Sequence, residues 1–200
     1  MKSRYGALGA LLLLALAFPA ALMAHLDQSW AAAYDGPYPG NGDDQASKVV
    51  VDADGNVYVT GYCATTDALY RDNYNTVKYD ADGNLLWSVQ YDGPAHRDDR
   101  ASAIAVDASG NVFVTGYASA GSGMGKDYAT VKYDAAGNEL WVALYNGPGT
   151  GDHHDDYGYA IAVDALGNSY VTGRSIGSGS VFDYATVKYD AAGNELWVAR

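Results

Sequence analysis

Asp127-Tyr-Ala-Thr-Val-Lys-Tyr-Asp-Ala-Ala-Gly-Asn-Glu-Leu-Trp141 returns unchanged at Asp183–Trp197 and in altered form at Asn73–Trp87. Within it, Tyr-Ala-Thr-Val-Lys-Tyr is β-branched and aromatic, and Asp-Ala-Ala-Gly-Asn follows as a turn before a second apolar run, so the stretch reads as strand, hairpin, strand. Working outward, each copy is preceded by a second hairpin signal running into Val-Thr-Gly: Asp52–Asn56, Asp107–Asn111 and Asp164–Asn168. Further upstream stand a Tyr-Asp/Asn-Gly-Pro turn and an Asp pair. Trp30, Trp87, Trp141 and Trp197 mark the period, roughly 56 residues, which is the mark of an array whose units cannot bury their apolar surface alone.

Four strands per copy are expected, in the second copy Ala103–Val106, Val112–Tyr117, Tyr128–Tyr133 and Glu139–Tyr145. In the six turns the Asp accepts backbone hydrogen bonds and the Gly supplies positive φ. Tight hairpins impose antiparallel meanders. Runs such as Ala-Ile-Ala-Val are apolar at consecutive positions, which suits a sheet covered on both faces. Four-stranded meanders at this period describe an all-β chain of β-propeller blades.

The combination Tyr-Asp-Gly-Pro, Ala-Ile-Ala-Val-Asp-Ala-Ser-Gly-Asn-Val-Phe-Val-Thr-Gly-Tyr and Asp-Tyr-Ala-Thr-Val-Lys-Tyr-Asp-Ala-Ala-Gly-Asn-Glu-Leu-Trp resembles the bacterial and archaeal SBBP β-propeller repeat. The resemblance covers essentially all of the chain after its first residues. It implies a seven-bladed propeller in exported or cell-surface proteins, with no activity common to the family. Three copies do not close seven blades, so the expected architecture is an incomplete propeller. Its blades run over about 38–87, 95–141 and 149–200 within a repeat domain at 25–200. Trp30-Ala-Ala-Ala-Tyr34 matches Trp87–Tyr91 and Trp141–Tyr145 and is expected to be an outer strand orphaned from its own blade. The terminal blades then expose apolar sheet, and self-association is expected.

Residues 1–24 read as a signal peptide: Lys2 and Arg4, an apolar stretch from Leu11 to Phe18, and a cleavage site after Ala24. A secreted, periplasmic or cell-surface location follows, with no membrane insertion after cleavage. Losing Lys2 and Arg4 and no acid takes the net charge from −12 to −14. Such a chain repels nucleic acid and attracts cations or basic partners. Cys63 is the only cysteine, so there is no intramolecular disulfide.

Three constellations carry candidate chemistry. The first is the Asp pair of each copy, Asp43-Asp44, Asp98-Asp99 and Asp155-Asp156, on the connection between blades. Asp127 and Asp183 close the variable loop on the same face, where the first copy has Asp72-Asn73. Carboxylates gathered on one rim suit Ca²⁺, which takes six to eight oxygen ligands, and Asp99, Asp127, Asp156 and Asp183 are the candidates. The competing reading has these aspartates satisfy backbone amides and hold blade spacing. The second is Lys78, Lys132 and Lys188, one per blade, expected to run along a neighbouring strand and pair with aspartate. The third is His153-His154-Asp155-Asp156, read as a solvated loop in which His pairs with Asp. Gly121–Lys126 imitates a phosphate loop but lacks its following Ser/Thr and helix.

No catalytic constellation stands out, since nearly every polar feature recurs in each copy and a catalytic site needs one asymmetric arrangement. The leading expectation is a non-enzymatic exported module that binds a protein or carbohydrate at its loop-rich acidic face. The alternatives are an enzyme at the central channel mouth, a cation-assisted hydrolase or lyase, and a structural spacer or adhesin segment of a larger surface protein.

Overall fold

In the computed structural model the described residues are 29–37, 43–65, 71–120, 125–149, 154–178 and 181–200. The signal-peptide stretch, His153 and most of the phosphate-loop imitation lie outside them. Among the described residues, twelve strands form three antiparallel four-stranded sheets in sequence order. The first blade holds β1 (Asp44–Val51), β2 (Val57–Ala64), β3 (Asp72–Tyr79) and β4 (Leu85–Tyr91). The second holds β5 (Arg100–Val106), β6 (Val112–Ser119), β7 (Lys126–Tyr133) and β8 (Glu139–Tyr145). The third holds β9 (Tyr157–Val163), β10 (Ser169–Ile176), β11 (Phe182–Tyr189) and β12 (Glu195–Ala199). The all-β class and the incomplete set of blades are as the sequence indicates.

The six hairpins repeat one construction. In the turn at 134–138, Asp134 Oδ1 accepts the amides of Ala136 and Asn138, and Oδ2 accepts the Asn138 side-chain amide. Gly137 has φ +87°, a conformation that strains any residue with a Cβ. The Val-Thr-Gly glycine has a different reason. The first two strands of each blade pair through a bulge, and there a Cβ on Gly116 would lie 2.0 Å from the Arg100 carbonyl oxygen.

Blades stack face to face. The middle blade is covered on both sides: Val112, Phe113, Val114, Tyr128 and Val131 are fully buried. One core joins Tyr58 and Tyr74 of the first blade to Val112, Val114 and Val131 of the second, and another joins Tyr128 to Val171 and Val187 of the third. Buried polar atoms within the sheets pair off, as Thr115 does with Thr130 at 3.2 Å.

Hydrogen bonds from rings tie the blades. Tyr74 Oη donates to the Ala129 carbonyl (3.1 Å) and Trp87 Nε1 to the Ala135 carbonyl (3.1 Å). One blade on, Tyr128 Oη donates to Ala185 (3.2 Å) and Trp141 Nε1 to Ala191 (3.2 Å).

The segment Trp30–Tyr34 corrects one expectation. It forms no strand, because among the described residues no sheet lies beside it to supply a ladder. It nonetheless docks. Trp30 Nε1 donates to the Ala81 carbonyl (3.1 Å) and the ring packs on Tyr79, so Trp30 holds on the first blade the place that Trp87 holds on the second.

Candidate functional site

The Asp pairs of the second and third copies sit where the sequence puts them, on the connections between blades, and their second members turn inward, while Asp44 of the first copy stays exposed. Asp99 is fully buried; its two carboxylate oxygens accept the amides of Gly93 (2.5 Å) and Ser119 (2.9 Å). Asp156, also fully buried, accepts Gly147 (2.9 Å) and Ile176 (3.0 Å). Asp44 accepts Gly36 at 2.6 Å. Each carboxylate therefore fastens the Gly-Pro turn leaving one blade, and in the second and third blades it also grips the end of the next blade's second strand. The connection is pinned further by the Asp99 amide on the Asp72 carbonyl and the Asp156 amide on the Lys126 carbonyl. This is the amide-satisfying role of the two sequence readings.

The four candidate calcium ligands do not converge. Asp127 lies beside Asp156, and its Oδ1 is buried without a hydrogen-bond partner. Asp183 is more than half exposed, 3.9 Å from the Arg200 guanidinium. Among the described residues no three His, Cys, Asp or Glu side chains group as metal ligands. Burial, followed by the Asp156 charge, pushes the Asp127 carboxyl up to about 6. Burial does the same to Asp99, up to about 6, against the pull of its two amides.

The three lysines lie over rings, where the sequence suggested aspartate partners. Lys78, Lys132 and Lys188 lie 4.9, 4.8 and 4.9 Å from the centroids of Tyr58, Phe113 and Tyr170, each directly across the ladder. Lys132 also donates to the Ala191 carbonyl (3.0 Å) of the next blade. His96, at the position matching His153 in the second copy, pairs with Asp92 at 2.8 Å.

A feature that sequence reasoning missed crosses all three blades at the loop end. Tyr62 and Tyr117 follow the Val-Thr-Gly glycine in the first two blades, and Arg174 takes that register in the third. Arg100 of the second blade stacks on Tyr62 of the first (4.4 Å) and pairs with Asp72 (2.5 Å). Tyr117 meets Tyr157 edge to face at 5.0 Å, and Lys126 caps both. Arg174 lies 4.3 Å from both Tyr157 and Phe182. Aromatic and cationic groups thus alternate along a partly exposed row. Beside it, Arg71, Arg97, Asp98 and Ser119 line a cleft of about 360 Å³. The signal lay in the substitutions between copies: Gln45, Arg100 and Tyr157 share one register, and their partners vary with them.

A search of curated proteins finds no match to the chain. Residues 140–179, from the second blade's outer strand through β10, match the family model of SBBP, described as a beta-propeller repeat.

Proposed function

We propose that the chain is a non-enzymatic, exported β-propeller module that binds a carbohydrate ligand at its loop end. The observation that carries this is the row Tyr62, Arg100, Tyr117, Lys126, Tyr157, Arg174. Sugar rings stack their C–H faces on aromatic rings, and the interleaved cations meet hydroxyl or carboxylate groups. The row sits beside the variable loops, where propellers vary while their blades stay constant. The same face retains exposed carboxylates such as Asp98, so a basic protein segment is the second partner class it suits.

The test is calorimetric titration with a panel of soluble neutral and uronic-acid polysaccharides, using wild type, Tyr117→Ala and Arg174→Ala. Binding to at least one polysaccharide, weakened about tenfold or more in both variants, is the expected result. Binding to none of the panel, or equal binding by all three proteins, would sink the carbohydrate reading. Wholesale replacement of loops 62–72, 117–126 and 174–182 tests the broader rim reading, because binding that survives it cannot use that face.

A further inference from the structure

Each blade offers its neighbour one tyrosine and one tryptophan, and each neighbour receives them on two backbone carbonyls. Tyr74 and Trp87 dock on Ala129 and Ala135; Tyr128 and Trp141 dock on Ala185 and Ala191. The tyrosine seat is specific. Tyr74 Oη would lie 2.8 Å from a Cβ on Gly116, and Tyr128 Oη 3.0 Å from one on Gly173, so the Val-Thr-Gly glycine leaves room for the hydroxyl.

The first blade has the same seat, and among the described residues no tyrosine hydroxyl fills it. Gly61, Thr60 and Asn75 occupy the registers of Gly116, Thr115 and Ala129. They line a cavity of about 280 Å³ together with Val59, Val77 and Tyr79 of the blade and with Trp30, Ala32 and Tyr34 of the segment before it. The Asn75 carbonyl, equivalent to the one that Tyr74 reaches on Ala129, accepts a long bond from Thr60 Oγ1 (3.3 Å). The third blade carries the equivalent key, which none of the described residues receives. Tyr184, at the register of Tyr74 and Tyr128, is 87% exposed, and Phe182 and Trp197 stand exposed on the same sheet.

We propose that the third blade of a second copy of this chain docks on the first blade, with Tyr184 filling the Gly61–Asn75 seat, and that Trp30–Tyr34 restrains this association. The occupant follows from continuity with the two interfaces inside the chain, whose tyrosine-on-glycine and tryptophan-on-carbonyl contacts the open faces have the residues to repeat. The restraint follows from Trp30, which holds the Ala81 carbonyl that the incoming Trp197 needs. Contacts of this head-to-tail kind close into rings or extend into filaments. Two copies give six blades, within the range of closed propellers.

Sedimentation equilibrium of the purified chain tests this with Tyr184→Ala, Trp30→Ala and the double variant, each first checked for unchanged β-sheet circular dichroism. Trp30→Ala is expected to associate about tenfold or more tightly than wild type. Tyr184→Ala is expected to weaken association by a similar factor, and the double variant to lose what Trp30→Ala gains. Tyr184 is so exposed that its loss leaves the fold intact. Wild type and Trp30→Ala both monomeric at 100 µM (roughly the weak-affinity range) would overturn the proposal. So would a double variant that associates as strongly as Trp30→Ala, since that would mean adhesion of the uncovered groove without Tyr184.

Discussion

Replacing Asp127 by Asn should stabilise the protein at pH 8 and change little at pH 4. The Asp127 carboxyl is carried from its ordinary 3.8 up to about 6 by burial and by Asp156, and its Oδ1 has no partner. Because the folded state holds this proton more tightly than the unfolded chain, stability falls as pH rises from about 4 to about 6 and stays low above. That displacement corresponds to about 3 kcal/mol once the group is fully charged. The substitution removes the charge while keeping the shape, and Asn73 already stands at the same register of the first blade, buried. A gain of about 2 kcal/mol at pH 8 moves the urea midpoint up by roughly 1 M. Urea titrations followed by tryptophan fluorescence at pH 4 and pH 8 provide the assay. The wild-type fall between those pH values should be reduced rather than abolished in the variant, because Asp99 titrates in the same window. An unmoved midpoint at pH 8, or a variant whose pH dependence equals wild type, would refute the reasoning.

Asp156→Ala leaves the buried amides of Gly147 and Ile176 without acceptors and should destabilise by about 2–4 kcal/mol, read as a lowered urea midpoint; a loss under about 0.5 kcal/mol would contradict the fastening role. Gly193→Ala places a Cβ at φ +87° and 2.7 Å from the Trp141 ring, so about 1–3 kcal/mol should be lost and tryptophan emission should shift to the red. Asp164 is held down to about 2 first by the Asn168 side chain, then by backbone amides and Tyr170 against slight burial, so its stabilisation is present above pH 4 and lost as pH falls toward 2. Its carboxyl resonance should titrate near pH 2, and a midpoint at 4 would contradict the hairpin's hydrogen bonding. With Asp99 and Asp156 engaged on amides, excess Ca²⁺ over chelator is expected to leave the melting temperature unmoved; a rise of several degrees would show that calcium binds.

The period, the hairpins and the blades were legible because their causes are local. Asp134, Gly137 and Asn138 act within four residues of one another, and the same set recurs six times. The fastening role of Asp99 was half legible. Its position at the blade connection could be read, but its choice between cation and amides depended on Ser119, twenty residues away. The row from Tyr62 to Phe182 was not legible, since its continuity rests on contacts between blades, Arg100 on Tyr62 and Tyr117 on Tyr157, whose identities change together. The lysines misled for a related reason: an acidic composition suggested carboxylate partners, while the nearest group across the ladder is a ring. Trp30–Tyr34 resembled β8 closely enough to be read as a strand, yet strand conformation belongs to a ladder, and only its side-chain contacts survive without one.

Tyr74, Trp87, Tyr128 and Trp141 join blades by donating to main-chain carbonyls: Ala129, Ala135, Ala185 and Ala191. Every peptide unit carries such an acceptor, so at these four contacts a blade recognises the path of its neighbour's backbone, and the one side-chain demand is the glycine that makes room for the tyrosine hydroxyl. A unit duplicated or moved along the array keeps this joint wherever its new neighbour carries that glycine, whereas the row at the loop end has to be matched afresh at every junction.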